Sequence, residues 1–334
     1  MLDKVLETSK FVVDNAKHVK INYDKANELI DELLKFDNVH YLTKVPNELI
    51  DELLKFDNIH YLTKVPYDVY DMSTRDIINF LLIYDSIDFS FWGNPKWTIN
   101  VNGKDLDGGI ALLHCIFNMF DGRDSLDVYQ QLENITLEEF KEILKGNVDI
   151  PLLEERYSIV TGIAKIVNKK MNGSFYDYIE NMNTDQEIFN TILNNFSSFG
   201  DTRTYEGQTI YFYKLAQLLT SDILHVIEIK EQKKVDYSSL LGCADYKIPQ
   251  VMQGFGILEY DTELSSLLES KTEIEENSAY EVEIRASMII VINYIWNQID
   301  KSIDRIDIND FIWNKGQDKT KKYKPYHLTR TKSY

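Results

Sequence analysis

Residues 282–299 read VEIRASMIIVINYIWNQI. Apolar side chains fall on nearly every face of a 3.6-residue period here, not on one stripe, which predicts a helix buried on all sides at the centre of a core. Its densest apolar run, Met288–Trp296, is far short of the roughly 20 residues a membrane span needs. Working outward, Ser73–Tyr84, Thr136–Lys145, Leu152–Lys169, Asp185–Phe196, Tyr213–Val226 and Val251–Leu258 carry apolar residues three and four apart and are expected to be helices. Two hairpins interrupt them. Trp97, Ile99 and Val101 alternate with polar residues before Asn102-Gly103, and Thr202–Tyr213 turns at Glu206-Gly207. No Gly/Ser/Pro-rich linker divides the chain. The expectation is a single, mainly α domain over residues 1–334 with small β-hairpins.

Composition narrows the class. The 334 residues carry 36 Lys+Arg against 54 Asp+Glu, a formal charge of −18. That balance argues against a nucleic-acid polymer as ligand, because phosphate-backbone binding is largely Lys/Arg attraction. Two cysteines, Cys115 and Cys243, cannot build a disulfide framework, which points to a reducing compartment. Met1–Lys10 has no apolar signal core, so a cytoplasmic protein is expected. The six histidines are scattered without metal-ligand spacing, and no Walker, dinucleotide-binding or nucleophile-elbow motif occurs. No metal and no organic cofactor is expected. Gly254-Phe255-Gly256 reads as a turn. The tail from Lys315 onward is basic; it is either solvated or a phosphate contact when folded back.

Asn27–Pro46 and Asn47–Pro66 are near-identical copies, differing only at Val39 and Ile59. Each reads as a short amphipathic helix followed by a Pro-terminated turn. Two copies are too few for a solenoid, so one is expected to be structurally redundant.

Several strings go further than periodicity. They are Asp88-Phe89-Ser90-Phe91-Trp92, Ile150-Pro151-Leu152-Leu153-Glu154-Glu155-Arg156, Gly173-Ser174-Phe175, Tyr211-Phe212-Tyr213-Lys214-Leu215-Ala216-Gln217 and Cys243-Ala244-Asp245-Tyr246-Lys247-Ile248-Pro249-Gln250. Glu281-Val282-Glu283-Ile284-Arg285-Ala286, Asp310-Phe311-Ile312-Trp313 and Pro325-Tyr326-His327 follow. In this order and spacing they resemble the queuosine salvage protein family, from about Ser9 to the C-terminus. The resemblance implies a helical fold similar to DNA glycosylases. It also implies hydrolysis of queuosine 5′-monophosphate to queuine, a 7-deazaguanine base, and ribose 5-phosphate, so that queuine can be returned to tRNA. The expected partner is that small molecule, acted on by a monomer.

Cleaving a ribosyl C–N bond passes through an oxocarbenium-like state, which a carboxylate near C1′ stabilises. A 7-deazapurine has no N7 to protonate, so the leaving base needs other help: hydrogen bonds, stacking or a proton donor. By the resemblance, Asp245 and Lys214 belong to the active site. Read alone, Asp245 is an N-cap or Asx turn near Pro249, and Lys214 is a solvated lysine at a helix start. Asp310 is a second carboxylate, on what otherwise reads as a docking helix; which aspartate lies nearest C1′ stays open. Cys243, Phe311, Trp313 and Asn314 are candidates for substrate contact, with His60 in the second repeat. His327 and Arg330 are candidates for the phosphate. Glu154, Glu155, Arg156, Glu281, Glu283 and Arg285 read as capping and pairing residues, and Trp92 with its neighbours as core.

The chain departs from the family pattern at Asp88, at Gly108-Gly109-Ile110-Ala111 where aromatics are usual, at Cys243, at Asn314 and at Gly200. The lost aromatics favour an alternative, a catalytically impaired module of the same fold that binds base or nucleotide.

Overall fold

The computed structural model describes residues 1–35, 69–182, 184–299, 303–318 and 320–334. The second repeat, most of the first, and His60 with its duplicate His40 lie outside the described residues. The architecture is mainly helical, with three antiparallel two-stranded sheets among the described residues. The chain divides into two compact units, each assembled from three separate stretches.

The first unit comprises Met1–Pro66, Thr202–Lys214 and Tyr237–Arg330. Its described elements are α1 (Leu2–Asn15), β1 (Val19–Ile21), α2 (Tyr23–Lys35) and the hairpin β4 (Thr202–Tyr205) and β5 (Gln208–Tyr211). Further along are α11 (Lys247–Gly254), β6 (Leu258–Tyr260), α12 (Thr262–Glu269), α13 (Ala279–Gln298) and α14 (Arg305–Lys315). The quoted stretch is α13, and it is the hub: α1, α2, α11, α14, β1 and β4 all pack on it. Ser278 caps its start by accepting from the Glu281 amide.

The charged residues at the head of α13 are fully buried, and each has a structural task. The Glu283 carboxylate accepts from the backbone N–H groups of Lys17, His18 and Val19 at 2.7–3.1 Å and from the Tyr205 hydroxyl at 2.8 Å. It thereby fixes the entry into β1, which pairs with β6 in the register Val19↔Tyr260 to Ile21↔Leu258. Glu281 accepts from Arg203 Nε at 3.0 and 2.9 Å, anchoring β4. The expected pairing role of these residues is what the structure has.

The second unit comprises Tyr67–Asp201, Leu215–Asp236 and Thr331–Tyr334. It holds α3 (Thr74–Ser86), the hairpin β2 (Thr98–Val101) and β3 (Lys104–Asp107), α4 (Gly108–Phe120), α5 (Ser125–Asn134) and α6 (Leu137–Ile143). Then come α7 (Leu153–Lys170), α8 (Phe175–Ile179), α9 (Asp185–Asn195) and α10 (Lys214–Glu231), of which only Lys214 falls in the first unit. Here α3 is the centre, packed by α4, α5, α7 and α8. Asn79 organises it: its Nδ2 donates to Ser125 Oγ at 2.9 Å, and its Oδ1 accepts from the Phe175 N–H at 2.8 Å. Arg156, fully buried, donates to the carbonyls of Pro151, Ile87 and Phe89, with its guanidinium 4.3 Å from the Phe89 ring centroid. The Phe89–Trp92 string is core, as expected.

Both hairpins form where expected. Their turn residues Asn102, Gly103, Glu206 and Gly207 have φ of 50, 81, 47 and 79°, the left-handed pair that a two-residue turn between twisted strands requires. One helix boundary needs correction. The expected helix Val251–Leu258 begins earlier, at Lys247, and stops at Gly254; Leu258 opens strand β6 instead. Pro249 sits in the first turn, where its missing N–H costs nothing. The Gly254-Phe255-Gly256 turn follows as expected, and a Cβ at Gly254 would lie 2.3 Å from the Tyr323 ring.

Candidate functional site

Lys214, Cys243, Asp245, Asp310, Phe311, Trp313, Asn314, His327 and Arg330 all belong to the first unit. They lie on three pieces of chain: the entry to α10, the turn before α11, and α14 with the tail.

Asp245 stands in the turn between a buried loop and α11. Its Oδ1 accepts from the N–H groups of Lys247 at 2.9 Å and Ile248 at 3.0 Å. It therefore performs the capping that its position suggests, with the side chain half-buried. Capping does not exclude chemistry. It holds the carboxylate in one orientation.

The turn is fastened on two sides. Cys243, buried, donates its backbone N–H to Asn309 Oδ1 at 2.8 Å, and Asn309 Nδ2 donates to Asp310 Oδ1 at 2.9 Å. One amide side chain thus ties the two candidate carboxylate segments together, and α11 packs directly on α14. On the other side the Ala244 carbonyl accepts from Arg285 Nε at 2.8 Å. Next to Asp245, the Tyr246 ring lies 4.6 Å from that of Tyr326, tilted by 31°.

Lys214 is the first residue of α10 and is only 5% exposed, not the solvated lysine that its position alone suggests. Tyr213 before it has φ of 53°, a costly conformation for a non-glycine residue. That turn swings the chain from β5 into α10 and sets the lysine inward. Phe212, two residues upstream, lies under the Arg285 guanidinium at 4.1 Å.

On α14, Phe311 and Ile312 are buried, while Asp310, Trp313 and Asn314 are half-buried. Lys315 Nζ lies 4.9 Å from the Phe311 ring centroid and pairs with Glu32. Up to Arg330 the tail folds back onto the first unit. Ile274 N–H donates to the Leu328 carbonyl at 2.7 Å, Lys324 pairs with Glu269 at 3.0 Å, and Arg330 with Glu273 at 3.4 Å. Arg330 is thus a surface ion-pair member, open to exchange partners. His327 is 2% exposed. Burial lowers its pKa to about 4, with Arg285 pushing the same way and Glu281 opposing. At neutral pH it would meet a phosphate as an uncharged hydrogen-bonding group, not as a cation.

Sequence reasoning missed Asn309, the Tyr246–Tyr326 pair and the reach of Arg285. Tyr246 and Tyr326 stand inside the quoted strings, so the signal was present. Asn309 offered none beyond adjacency to Asp310. The departures at Asp88 and Gly109 lie against each other in the second unit: a Cβ at Gly109 would be 3.1 Å from both Asp88 Oδ1 and the Tyr84 hydroxyl. A groove of about 730 Å³ in that unit is lined by Asp71, Arg75, Phe117 and Arg123 among others, and by none of the candidate residues. Among the described residues no His/Cys/Asp/Glu group is placed to hold a metal ion, and no helix is long and apolar enough to cross a membrane.

The queuosine salvage protein family matches residues 68–334, beginning just past the second repeat. A protein of Sphaerobacter thermophilus named queuosine 5′-phosphate N-glycosylase/hydrolase is 32% identical over 263 residues, 77% of this chain and 81% of its own. A Dictyostelium discoideum protein of the same name is 26% identical over 100% of this chain and 99% of its own. One from Bos taurus is 29% identical over 76% of this chain and 80% of its own. With four-fifths of the sequence matched by the family model, the chain belongs to the queuosine salvage protein family.

Proposed function

We propose that this protein hydrolyses the N-glycosidic bond of queuosine 5′-monophosphate, releasing queuine and ribose 5-phosphate for salvage of the base into tRNA. The observation that carries the reading is the joining of the Asp245 turn to the Asp310 helix through Asn309. It holds two carboxylates in fixed orientation within a chain whose relatives are named for this reaction.

In the reaction the C1′–N bond breaks and its electron pair goes to the base. Water oxygen bonds to C1′; one water proton ends on the base and the other remains on the new hydroxyl. One carboxylate of the Asp245 and Asp310 pair stabilises the positive charge that develops at C1′ and O4′, and the other holds base or ribose. Lys214, buried at its helix start, supplies a point charge for phosphate or ribose. Arg330 adds a cation that the substrate phosphate can draw from Glu273. Phe311, Trp313, Asn314 and the Cys243 loop serve as substrate walls, and His60 as a further contact. A fold similar to DNA glycosylases, organised as one functional domain, fits the helical architecture. The −18 charge supports a small-molecule substrate over a nucleic-acid polymer, and a monomer; the two cysteines, too few for a disulfide framework, fit the cytoplasm. The chemistry asks for no metal or organic cofactor.

The test is a metal-free incubation with queuosine 5′-monophosphate, queuosine and guanosine monophosphate, followed by mass spectrometry. Queuine from the monophosphate is the expected product. Saturable binding without release would instead identify the impaired binding module.

A further inference from the structure

The family string at the head of α13 contains a residue that the reaction scheme above leaves unused. Arg285 is fully buried. Its Nε donates to the Ala244 carbonyl at 2.8 Å, one residue before Asp245. Its guanidinium face covers the Phe212 ring at 4.1 Å, two residues before Lys214. Its Nη1 reaches Glu281 Oε1 at 3.3 Å.

We propose that Arg285 is a positioning residue for the glycosidase reaction: its planar fork fixes the Asp245 turn and the Lys214 approach to α10 in one geometry. The inference rests on the proposed function for the reaction it serves. The ion pair does not explain the arginine by itself, because Glu281 already receives Arg203 at 3.0 and 2.9 Å through both carboxylate oxygens. The 2.8 Å hydrogen bond from Arg285 to a neutral main-chain carbonyl is shorter than its 3.3 Å contact with Glu281. A buried guanidinium is a costly way to fill space, and an apolar side chain of similar volume serves a core as well or better. What the guanidinium offers beyond volume is a rigid plane with donors on its edge and a stacking face. Those two features meet the two segments that carry Asp245 and Lys214. A lysine keeps the charge but has neither plane nor fork.

The test compares Arg285→Lys and Arg285→Met with the wild-type protein. Both variants are expected to lose kcat by about 100-fold with KM within about threefold, as displacement of reacting groups by an ångström does. Both are expected to exchange the Lys247 and Ile248 amides faster, because those N–H groups are bonded to the Asp245 carboxylate. Should Arg285→Met not fold, Arg285→Lys, which keeps Glu281 compensated, decides. Turnover within threefold of wild type overturns the proposal. So does lost turnover with unchanged protection of the two amides. A wild-type protein that releases no queuine would defeat the proposed function alone, and the amide exchange would still decide what Arg285 holds.

Discussion

Each unit holds one fully buried arginine among its described residues, and the two are used differently. Arg156, in the second unit, faces the carbonyls of Pro151, Ile87 and Phe89 and stacks on Phe89 and Phe91. It clamps the aromatic string of that unit from inside. Arg285, in the first unit, reaches the Ala244 carbonyl, the Glu281 carboxylate and the Phe212 ring, which lie on different segments. The first arrangement staples the Ile87–Phe91 stretch to the head of α7. The second links the segments that bear Asp245 and Lys214. A buried guanidinium therefore has no fixed meaning: what counts is which segments its partners belong to.

The sharpest way to break this comparison is to remove both arginines in turn. Arg156→Ala removes a charged donor from three carbonyls together with the stacking on Phe89 and Phe91, and is expected to cost about 4 kcal/mol in urea denaturation. Arg285→Ala is expected to cost about 2 kcal/mol, since Glu281 keeps Arg203 and one carbonyl loses a donor. The reverse order would show that the ion pair, not the carbonyl clamp, dominates.

A second prediction concerns the histidine beside Arg285. Native His327 titrates at about 4, against 6.5 for the ordinary group. Between those values the unfolded chain binds a proton that the folded chain refuses, so stability falls as pH drops below 6.5. The loss reaches about 3 kcal/mol near pH 4. His327→Gln should flatten that limb of the stability profile; an unchanged limb would place the acid sensitivity elsewhere.

In the second unit the neutral counterpart is Asn79, which joins Ser125, Ser174 and the amide of Phe175. Asn79→Ala is expected to cost about 2 kcal/mol, with no pH dependence between 5 and 8, roughly the cost of unpaired buried partners. A pH-dependent loss would mean that a titrating group is coupled to it.

The smallest effect is expected from the repeat. Deleting 27–46 joins Ala26 to Asn47 and restores NELIDELLKFDN at the same place, so the buried positions Leu29, Ile30 and Leu33 of α2 receive the same residues. Melting should change by less than about 0.5 kcal/mol. Loss of the cooperative transition would show that both copies are needed.

The same contrast between local and distant partners decides how much was legible in the sequence. Central helix α13 announced itself because apolar residues on every face admit only burial. Both hairpins announced themselves because their turns need left-handed residues at fixed places. The Glu281–Arg285 contact is four residues apart and follows from helical spacing. Arg203, which shares Glu281, is 78 residues away and does not. Strands β1 and β6 are three residues each with partners far apart in the chain, too short for a period to register. Helix α4 escaped because it opens on Gly108 and Gly109, poor helix formers that only tertiary packing can overrule. Of the candidate residues, Asp245, Asp310 and Lys214 were recognised through family strings. That Asp245 also caps α11 was visible as an ordinary Asx turn. That Asn309 would bind the two carboxylate segments together was not, because its partners are the Cys243 N–H, 66 residues away, and its own neighbour.

The most direct test is base release by Asp245→Asn. The substitution keeps an oxygen at Oδ1 for the Lys247 and Ile248 amides, so the fold and its melting should survive. Purified wild-type protein should convert queuosine 5′-monophosphate to equal amounts of queuine and ribose 5-phosphate. The variant should lose that turnover by about 1,000-fold or more, the scale of removing one group that stabilises transition-state charge. A folded Asp245→Asn that releases queuine at the wild-type rate would contradict the account.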